Sequence, residues 1–187
     1  MLAWPHVVGL SILLVELPHL FGRRSDKAQD RRADRASLRS LWLAIGCGIA
    51  GAYYLRASAV GPLFDLSTLV LAAALVLVFL GCALRLWAVK TLGRLFTVDV
   101  AIRAGHSLVT SGPFRFVRHP SYTGLLAMFV GWSVTFANVA SAVALLAPLT
   151  IALFYRLHVE ESALSGAFGA DYAEYCARTK RLVPFVY

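Results

Sequence analysis

The sequence predicts an all-α polytopic membrane protein with about five transmembrane helices, the last two of which form a helical hairpin. Three observations support this fold class. Apolar residues make up 59% of the 187 residues and charged residues only 15%, whereas soluble domains contain about 45–50% and about 25%. The apolar residues fall into separate segments of membrane-spanning or nearly membrane-spanning length. Basic residues are concentrated in alternate connections between these segments.

Five segments share this apolar composition, and in chain order they are residues 2–21, 38–55, 63–87, 122–136 and 139–155. The first lacks a basic start and a small-residue cleavage site, which favours a retained helix over a removed signal peptide. The first three are long enough to cross a bilayer. The last two are shorter and only Ala137 and Asn138 separate them. A tight helical hairpin is predicted there, because backbone in lipid must satisfy its own hydrogen bonds.

The distribution of basic residues predicts the orientation in the membrane. The connections after the first and third segments and the C-terminal tail are rich in Arg and Lys, with Arg85 at the edge of the third segment. The connection after the second segment has only Arg56, and the hairpin turn has no basic residue. The positive-inside rule then puts the N-terminus outside, and the segment 92–124 and the tail in the cytoplasm.

The net charge of +8 favours attraction to anionic lipid headgroups over nucleic-acid binding, because the charges lie between apolar segments and not along one stripe. The three cysteines have no CxxC spacing, so neither a disulfide framework nor a metal site is predicted. The polar run 22–37 alternates Arg and Lys with Asp26, Asp30 and Asp34. We interpret it as a solvated loop or interfacial helix and not as a specific site.

The segment 92–124 has the composition of an irregular backbone beside the membrane. It is interrupted by four glycines and two prolines: Gly93, Gly105, Gly112, Gly124, Pro113 and Pro120. Irregular backbone exposes amide and carbonyl groups that a small polar ligand can use. Pro120 also predicts the start of the fourth helix, whose positive end would face the cytoplasm.

The tail 156–187 carries the second group of polar residues. Arg156 and Glu160 are four residues apart and share one face of a helix continuing from the fifth segment, and Glu161 is rotated about a quarter turn from them. An amphipathic helix is predicted further on. The apolar terminus 182–187 is expected to lie back on the membrane.

Each of these residues also has an ordinary structural explanation when taken alone. His119 followed by Pro120 is a common pair at the entry of a helix. Tyr122 fits an interfacial aromatic belt. Arg156 and Glu160 fit a surface ion pair, which stabilises a helix by roughly a few tenths of a kcal/mol. The functional interpretation therefore depends on their combination and not on any single residue.

The combination has a fixed order along the chain: Leu92-Gly93, Phe96, His106-Ser-Leu-Val109, Gly112 and Arg118-His-Pro-Ser-Tyr-Thr-Gly124, then Arg156, Glu160-Glu161, Phe168-Gly169, Tyr172, Tyr175 and Pro184. This order resembles the isoprenylcysteine carboxyl methyltransferase family, which belongs to a wider group of integral-membrane methyltransferases that includes phospholipid methyltransferases. The resemblance covers about residues 84–187, and the first two helices carry no motif of the family.

The resemblance implies methyl transfer from S-adenosylmethionine in a catalytic region at the cytoplasmic membrane face. Arg156 corresponds to the residue that holds the acidic group of the acceptor. Phe114 departs from the family, because relatives often have Tyr there and its hydroxyl contact is lost. The positions that correspond to the cofactor site are His106, Ser107, Leu108, Val109, Phe114, His119, Pro120, Ser121, Tyr122 and Glu160.

The expected organisation is two regions, with transmembrane helices one to three and a basic cytoplasmic loop in 1–91 and the methyltransferase region in 92–187. The resemblance favours carboxyl methylation of an isoprenylcysteine-like, lipophilic acceptor reached from the membrane lipids. Methylation of another lipid or small amphiphile on N, O or S stays open. A non-catalytic membrane protein is the other alternative, for which polar residues lining several helices at the midplane would be expected.

Overall fold

The computed structural model describes residues 3–20, 31–95 and 108–184, with backbone only at 17–20, 31–33 and 94. Two 3₁₀ turns, Gly93–Leu95 and Gly112–Arg115, lie between the third and fourth helices. These ranges contain no strand, only two isolated bridges. The predicted all-α class with a C-terminal hairpin is therefore confirmed. Its five helices are α1 (Ala3–Leu20), α2 (Arg31–Ala57), α3 (Thr68–Leu92), α4 (Pro120–Thr135) and α5 (Val139–Arg178).

Three of the five described helices have the length of membrane spans, and the bundle has an apolar surface. Among the described residues, Asp34–Ala57, Thr68–Leu92 and Val139–Arg178 are long and apolar enough to cross a membrane. The apolar part of α1 is shorter, and α4 has 16 residues, which is about 24 Å against a hydrocarbon core of about 30 Å. Large apolar side chains face outward, as expected for contact with lipid. Examples are Leu43, Phe79 and Ile151, each at least 67% exposed.

Two predicted helix starts differ from the structure. Helix α2 begins at Arg31 and not at residue 38, so part of the polar run 22–37 is helical. Helix α3 begins at Thr68 and not at residue 63, because the Ser67 hydroxyl accepts a hydrogen bond from the amide of Val70 and caps the helix. Residues before Ser67 pair instead with the hairpin turn, where Leu63 forms an isolated bridge with Asn138.

The last helix continues well beyond the predicted fifth segment. α5 has 40 residues, about 60 Å of helix, so it is twice as long as the hydrocarbon core. Its part 139–155 carries no charged residue, as expected for a membrane-spanning segment, and the polar part extends past it. Gly169 has φ +48° and kinks the helix, a conformation that favours glycine.

The helices alternate in direction, which gives the bundle two distinct ends. At one end, here called the hairpin end, the amide of Val139 donates to the carbonyl of Pro62, and Phe64 donates to Ala137. At the other, here called the tail end, side chains join the end of α3 to the end of α1 and to the start of α4, and they join the start of α2 to α5. The five described helices therefore run in alternate directions between these two ends.

Small residues let the helices approach closely. A Cβ on Gly124 of α4 would lie 2.5 Å from the carbonyl oxygen of Gly81 in α3, so neither position has room for a side chain. On the other side of the bundle, the Ser141 hydroxyl of α5 donates to the carbonyl of Ala52 in α2 at 2.8 Å. Between these helix pairs, Met128 and Leu145 belong to one apolar core. The closest packing is therefore between α3 and α4 and between α2 and α5.

Candidate active site

The start of α4 is fixed by the backbone conformation around two prolines. Gly112 has φ +59°, and Pro113 follows it in a 3₁₀ turn. Pro120 is the first residue of α4, where its missing N–H costs nothing. His119 precedes the helix, and its carbonyl accepts from the amide of Tyr122 at 3.0 Å. The His119 side chain does not cap the helix and is directed to α5.

The C-terminal residues dock onto this start of α4. Val117 and Lys180 form a parallel bridge. The amide of His119 donates to the carbonyl of Arg181 at 3.0 Å, and the Thr123 hydroxyl donates to the carbonyl of Leu182 at 2.7 Å. The two polar segments predicted from the sequence therefore meet at one end of the bundle.

The predicted tail contacts the 3₁₀ turn and is partly buried in the protein. The Tyr175 hydroxyl donates to the carbonyl of Phe114 at 2.6 Å, which ties the last turns of α5 to the 3₁₀ turn. Leu182 is buried in the protein, at 4% exposure. The expectation that the terminus 182–187 lies on the membrane is therefore wrong for Leu182, because its side chain packs inside the docked tail; residues 185–187 are outside the described ranges.

Glu161 is the centre of a charged cluster between these segments. Its carboxylate accepts from Arg118 Nε at 3.1 Å and from Arg181 Nη2 at 2.8 Å. His119 Nε2 lies 3.4 Å away. Burial opposes ionisation of Glu161, but hydrogen bonds from His119, Arg181 and Arg118 outweigh it and lower its pKa from 4.5 to about 2. Glu161 is therefore a permanent anion that joins α4, α5 and the tail.

Glu160 has a more open environment one residue earlier. Its carboxylate lies 3.8 Å from His119 Nδ1, and its side chain is 28% exposed. The Tyr122 ring stacks on His119 with 5.7 Å between centroids, and Tyr122 interacts with both Glu160 and Arg156. An ionised carboxylate beside an aromatic ring is a combination that attracts cations. The predicted grouping of these four residues is thus present.

Arg156 also has partners that the sequence did not suggest. Its Nη1 donates to the carboxylate of Asp34 at 2.5 Å, to the Asp34 carbonyl at 3.1 Å and to the Ser37 hydroxyl at 2.8 Å. The interpretation of the run 22–37 as solvated is therefore wrong for Asp34 and Ser37, which are buried. The sequence held one usable signal, since residues three apart before an apolar run share a helix face.

A second buried ion pair joins three helices nearby. Arg85 of α3 pairs with Glu16 of α1 through two hydrogen bonds, one of them 2.6 Å from Nη2 to Oε2. Its Nη1 donates to the Ser121 hydroxyl at 2.7 Å. The sequence suggested only a charge at the edge of the third segment. Ionisable residues within apolar helices usually pair with one another, and that rule was the available signal.

The predicted cofactor residues divide into three groups. His119, Tyr122 and Glu160 are together, and Ser121 and the buried Pro120 begin α4 beside them. Leu108 and Val109 are half-buried and lead to the 3₁₀ turn that holds the buried Phe114. His106 and Ser107 lie outside the described residues. A cavity of about 310 Å³ at the hairpin end is lined by Arg56, Asp65 and Phe136 among others, and by no predicted site residue.

The sequence model of the isoprenylcysteine carboxyl methyltransferase family matches residues 73–166. This protein belongs to that family. The predicted resemblance is thereby confirmed, and the match runs from α3 into the polar part of α5. It contains Tyr122, Arg156 and Glu160, whereas α1 and α2 lie outside it.

Curated members of the family show the extent of the similarity. Protein-S-isoprenylcysteine O-methyltransferase B of Arabidopsis thaliana is 40% identical over 114 residues, which cover 60% of this chain and 58% of that protein. The Homo sapiens protein-S-isoprenylcysteine O-methyltransferase is 35% identical over 116 residues, covering 60% and 40%. The matched part of the chain thus spans little more than half the length of the plant relative.

The fold of the family has a solved example. A structure of the eukaryotic intramembrane Ras methyltransferase, an isoprenylcysteine carboxyl methyltransferase, superposes with a TM-score of 0.55 at 23% identity. The superposition covers 98% of this chain and 63% of that chain. The similarity therefore includes α1 and α2, which the family's sequence model does not reach.

Proposed function

We propose that this protein is an S-adenosylmethionine-dependent membrane methyltransferase that acts on a lipophilic acceptor. The observation that carries the proposal is the meeting of Tyr122, Glu160 and Arg156 at the tail end, in a chain that belongs to a methyltransferase family. The names of its relatives favour the carboxylate of an isoprenylcysteine as the acceptor.

The residues present fit the cofactor. When bound, S-adenosylmethionine supplies an activated methyl group on a sulfonium cation, next to a cationic amino group. The partly exposed carboxylate of Glu160 matches a cation, and the Tyr122 ring stacked on His119 adds an aromatic face of the kind that cations prefer. Glu161 does not serve this purpose, because Arg118 and Arg181 already neutralise it.

The chain's own contribution to the reaction is binding and orientation. A carboxylate acceptor is ionised at neutral pH, so no residue has to remove a proton before transfer. Arg156 carries a buried positive charge next to Tyr122 and Glu160, and a guanidinium has the planar geometry that suits a carboxylate. For such a displacement, most of the rate acceleration comes from holding the acceptor and the donor in line.

The proposed location of the site is the cytoplasmic membrane face. The tail end holds Arg85, Arg118, Arg156 and Arg181, while the positive-inside rule puts basic connections in the cytoplasm. The N-terminus is then outside, as the alternation of five helices requires. A lipophilic acceptor would reach the site from the bilayer, and the water-soluble cofactor would reach it from the cytosol.

The first test measures binding and transfer with purified protein in lipid nanodiscs. Isothermal titration should show saturable binding of S-adenosylmethionine, and a labelled methyl group should pass to S-farnesylated N-acetylcysteine. Failure of cofactor binding would overturn the proposal. Transfer to phospholipid or another amphiphile instead would keep the methyltransferase and replace the acceptor. Mass spectrometry of lipids from cells with and without the gene would identify that acceptor.

Substitution of Arg156 tests its role. Arg156→Ala should lower methyl transfer about 100-fold while cofactor binding persists, because a hydrogen bond to a charged group contributes about 2–3 kcal/mol. Arg178→Ala is the matched control, since Arg178 lies on the same helix in an exposed pair with Glu174, and it should keep full activity. Full transfer by Arg156→Ala would remove Arg156 from the acceptor site.

A further inference from the structure

The start of α2 contributes side chains to the site from outside the region that the family's sequence model matches. We propose that Asp34 and Ser37 are positioning residues that hold the guanidinium of Arg156 in place for the acceptor. The proposal rests on the proposed function, and it gives the second helix a role in the reaction. Asp34 and Ser37 act through Arg156 and do not contact the reacting atoms.

The geometry is a closed hydrogen-bond network on a single nitrogen. Nη1 of Arg156 has three acceptors: the Asp34 carboxylate at 2.5 Å, the Asp34 carbonyl at 3.1 Å and the Ser37 hydroxyl at 2.8 Å. The Ser37 hydroxyl donates its own proton to the Asp34 carbonyl at 2.9 Å. Its lone pairs are therefore left to accept from Arg156, and the direction of every bond is fixed.

Burial makes this network restrictive. Arg156 is 2% exposed, Asp34 is 4% exposed and Ser37 is fully buried. Burying a guanidinium costs free energy unless it is paired and hydrogen-bonded. Moving the Arg156 side chain away from Asp34 would therefore destabilise the folded protein. An arginine side chain has many rotamers, and fixing one nitrogen removes most of them before an acceptor arrives. Arg156 also interacts with Tyr122 and Glu160.

The charge of Asp34 predicts a distinctive kinetic signature. Asp34 is an anion beside the proposed binding group for an anionic acceptor, so its removal should not weaken acceptor binding. Loss of orientation should instead slow the transfer step, because small misplacements of a reacting group cost about tenfold to a hundredfold in rate. A residue that served only stability would change neither constant once the protein is folded.

The experiment compares Asp34→Asn and Ser37→Ala with wild type in nanodiscs. Asp34→Asn should lower kcat about tenfold without raising KM for the acceptor, and Ser37→Ala should lower kcat by a smaller factor in the same direction. Binding of the acceptor to the complex with S-adenosylhomocysteine gives a readout that does not depend on turnover, and its Kd should not rise. Ser40→Ala is the matched control, because Ser40 lies one turn further on in α2 and its hydroxyl donates to the backbone carbonyl of Ser37.

A double-mutant cycle completes the test. In the Arg156→Ala background, Asp34→Asn should have no further effect on kcat if it acts through Arg156. Unchanged kcat and KM in both single variants would overturn the positioning role and leave the proposed function intact, whereas wild type without cofactor binding or turnover would overturn the function itself. If neither single variant gives folded protein, the network is structural and the positioning role is wrong.

Discussion

Glu160 and Glu161 are adjacent on α5 but have different surroundings. A step of one residue turns an α-helix by about 100°, which directs one carboxylate to Arg118 and Arg181 and the other to Tyr122. The Glu161 side chain is 14% exposed and the Glu160 side chain 28%. The same chemical group therefore has two environments within one helical turn.

The two environments indicate different roles: Glu161 stabilises the fold, and Glu160 is available to bind a ligand. Glu161 neutralises cations from two segments that are distant in sequence, so its charge is used within the protein. Glu160 has His119 Nδ1 only at 3.8 Å, beyond a normal hydrogen bond. A cationic ligand would find a partner in Glu160 and not in Glu161. Three substitutions and a pH titration test this division.

The largest expected effect is that of Glu160→Gln on the cofactor. Removing the charge while keeping the shape should weaken S-adenosylmethionine binding about tenfold to a hundredfold, the value of a hydrogen bond to a charged group. Isothermal titration in nanodiscs measures this effect. The melting temperature should stay close to that of wild type, because Arg156, the buried cation that interacts with Glu160, keeps its ion pair with Asp34. Wild-type affinity in this variant would assign the cofactor to other residues.

Glu161→Gln should have the opposite profile. It leaves Arg118 and Arg181 without their shared anion, and breaking a buried pair costs about 3 kcal/mol at the lower end of the usual range. Thermal unfolding in detergent should show a clear fall in melting temperature, with cofactor affinity little changed in the folded fraction. Equal stability of the variant and wild type would show that the cluster does not hold the tail.

Glu174→Gln is the matched control for this substitution. Glu174 also lies on α5 and pairs with Arg178, but both side chains are more than 65% exposed. An exposed pair of this kind contributes less than about 1 kcal/mol. The control should therefore have the melting temperature of wild type. If its melting temperature fell as much as that of Glu161→Gln, the loss of any charge on α5 would destabilise the protein.

Local rules predicted much of this site. The 3.6-residue period placed Arg156 and Glu160 on one face, and the Pro120 rule placed the start of α4. The separate apolar segments predicted the five helices. These features depend on residues close in sequence, so local sequence patterns are enough to predict them.

The pairings between distant helices could not be predicted in the same way. Arg156 and Asp34 are 122 residues apart, and Arg85 and Glu16 are 69 apart. Which carboxylate meets which guanidinium depends on helix directions, on rotation about each axis and on close contacts such as Gly81 with Gly124. Composition favoured a solvated run at 22–37, and tertiary packing buried two of its residues instead.

The smallest effect is confined to acidic solution and concerns Glu161 alone. Its pKa is lowered from 4.5 to about 2 in the folded protein, so its carboxylate binds protons more readily when the protein is unfolded. The stabilisation is therefore complete above about pH 4.5 and is lost progressively as the pH falls toward 2. Melting curves of wild type and Glu161→Gln at several pH values measure this contribution as a difference, which removes the effects of other acidic groups. The gap between the two proteins should be constant near neutrality and should close between pH 4.5 and about 2. A gap that closes at higher pH would mean that Arg118, Arg181 and His119 do not hold the carboxylate as an anion.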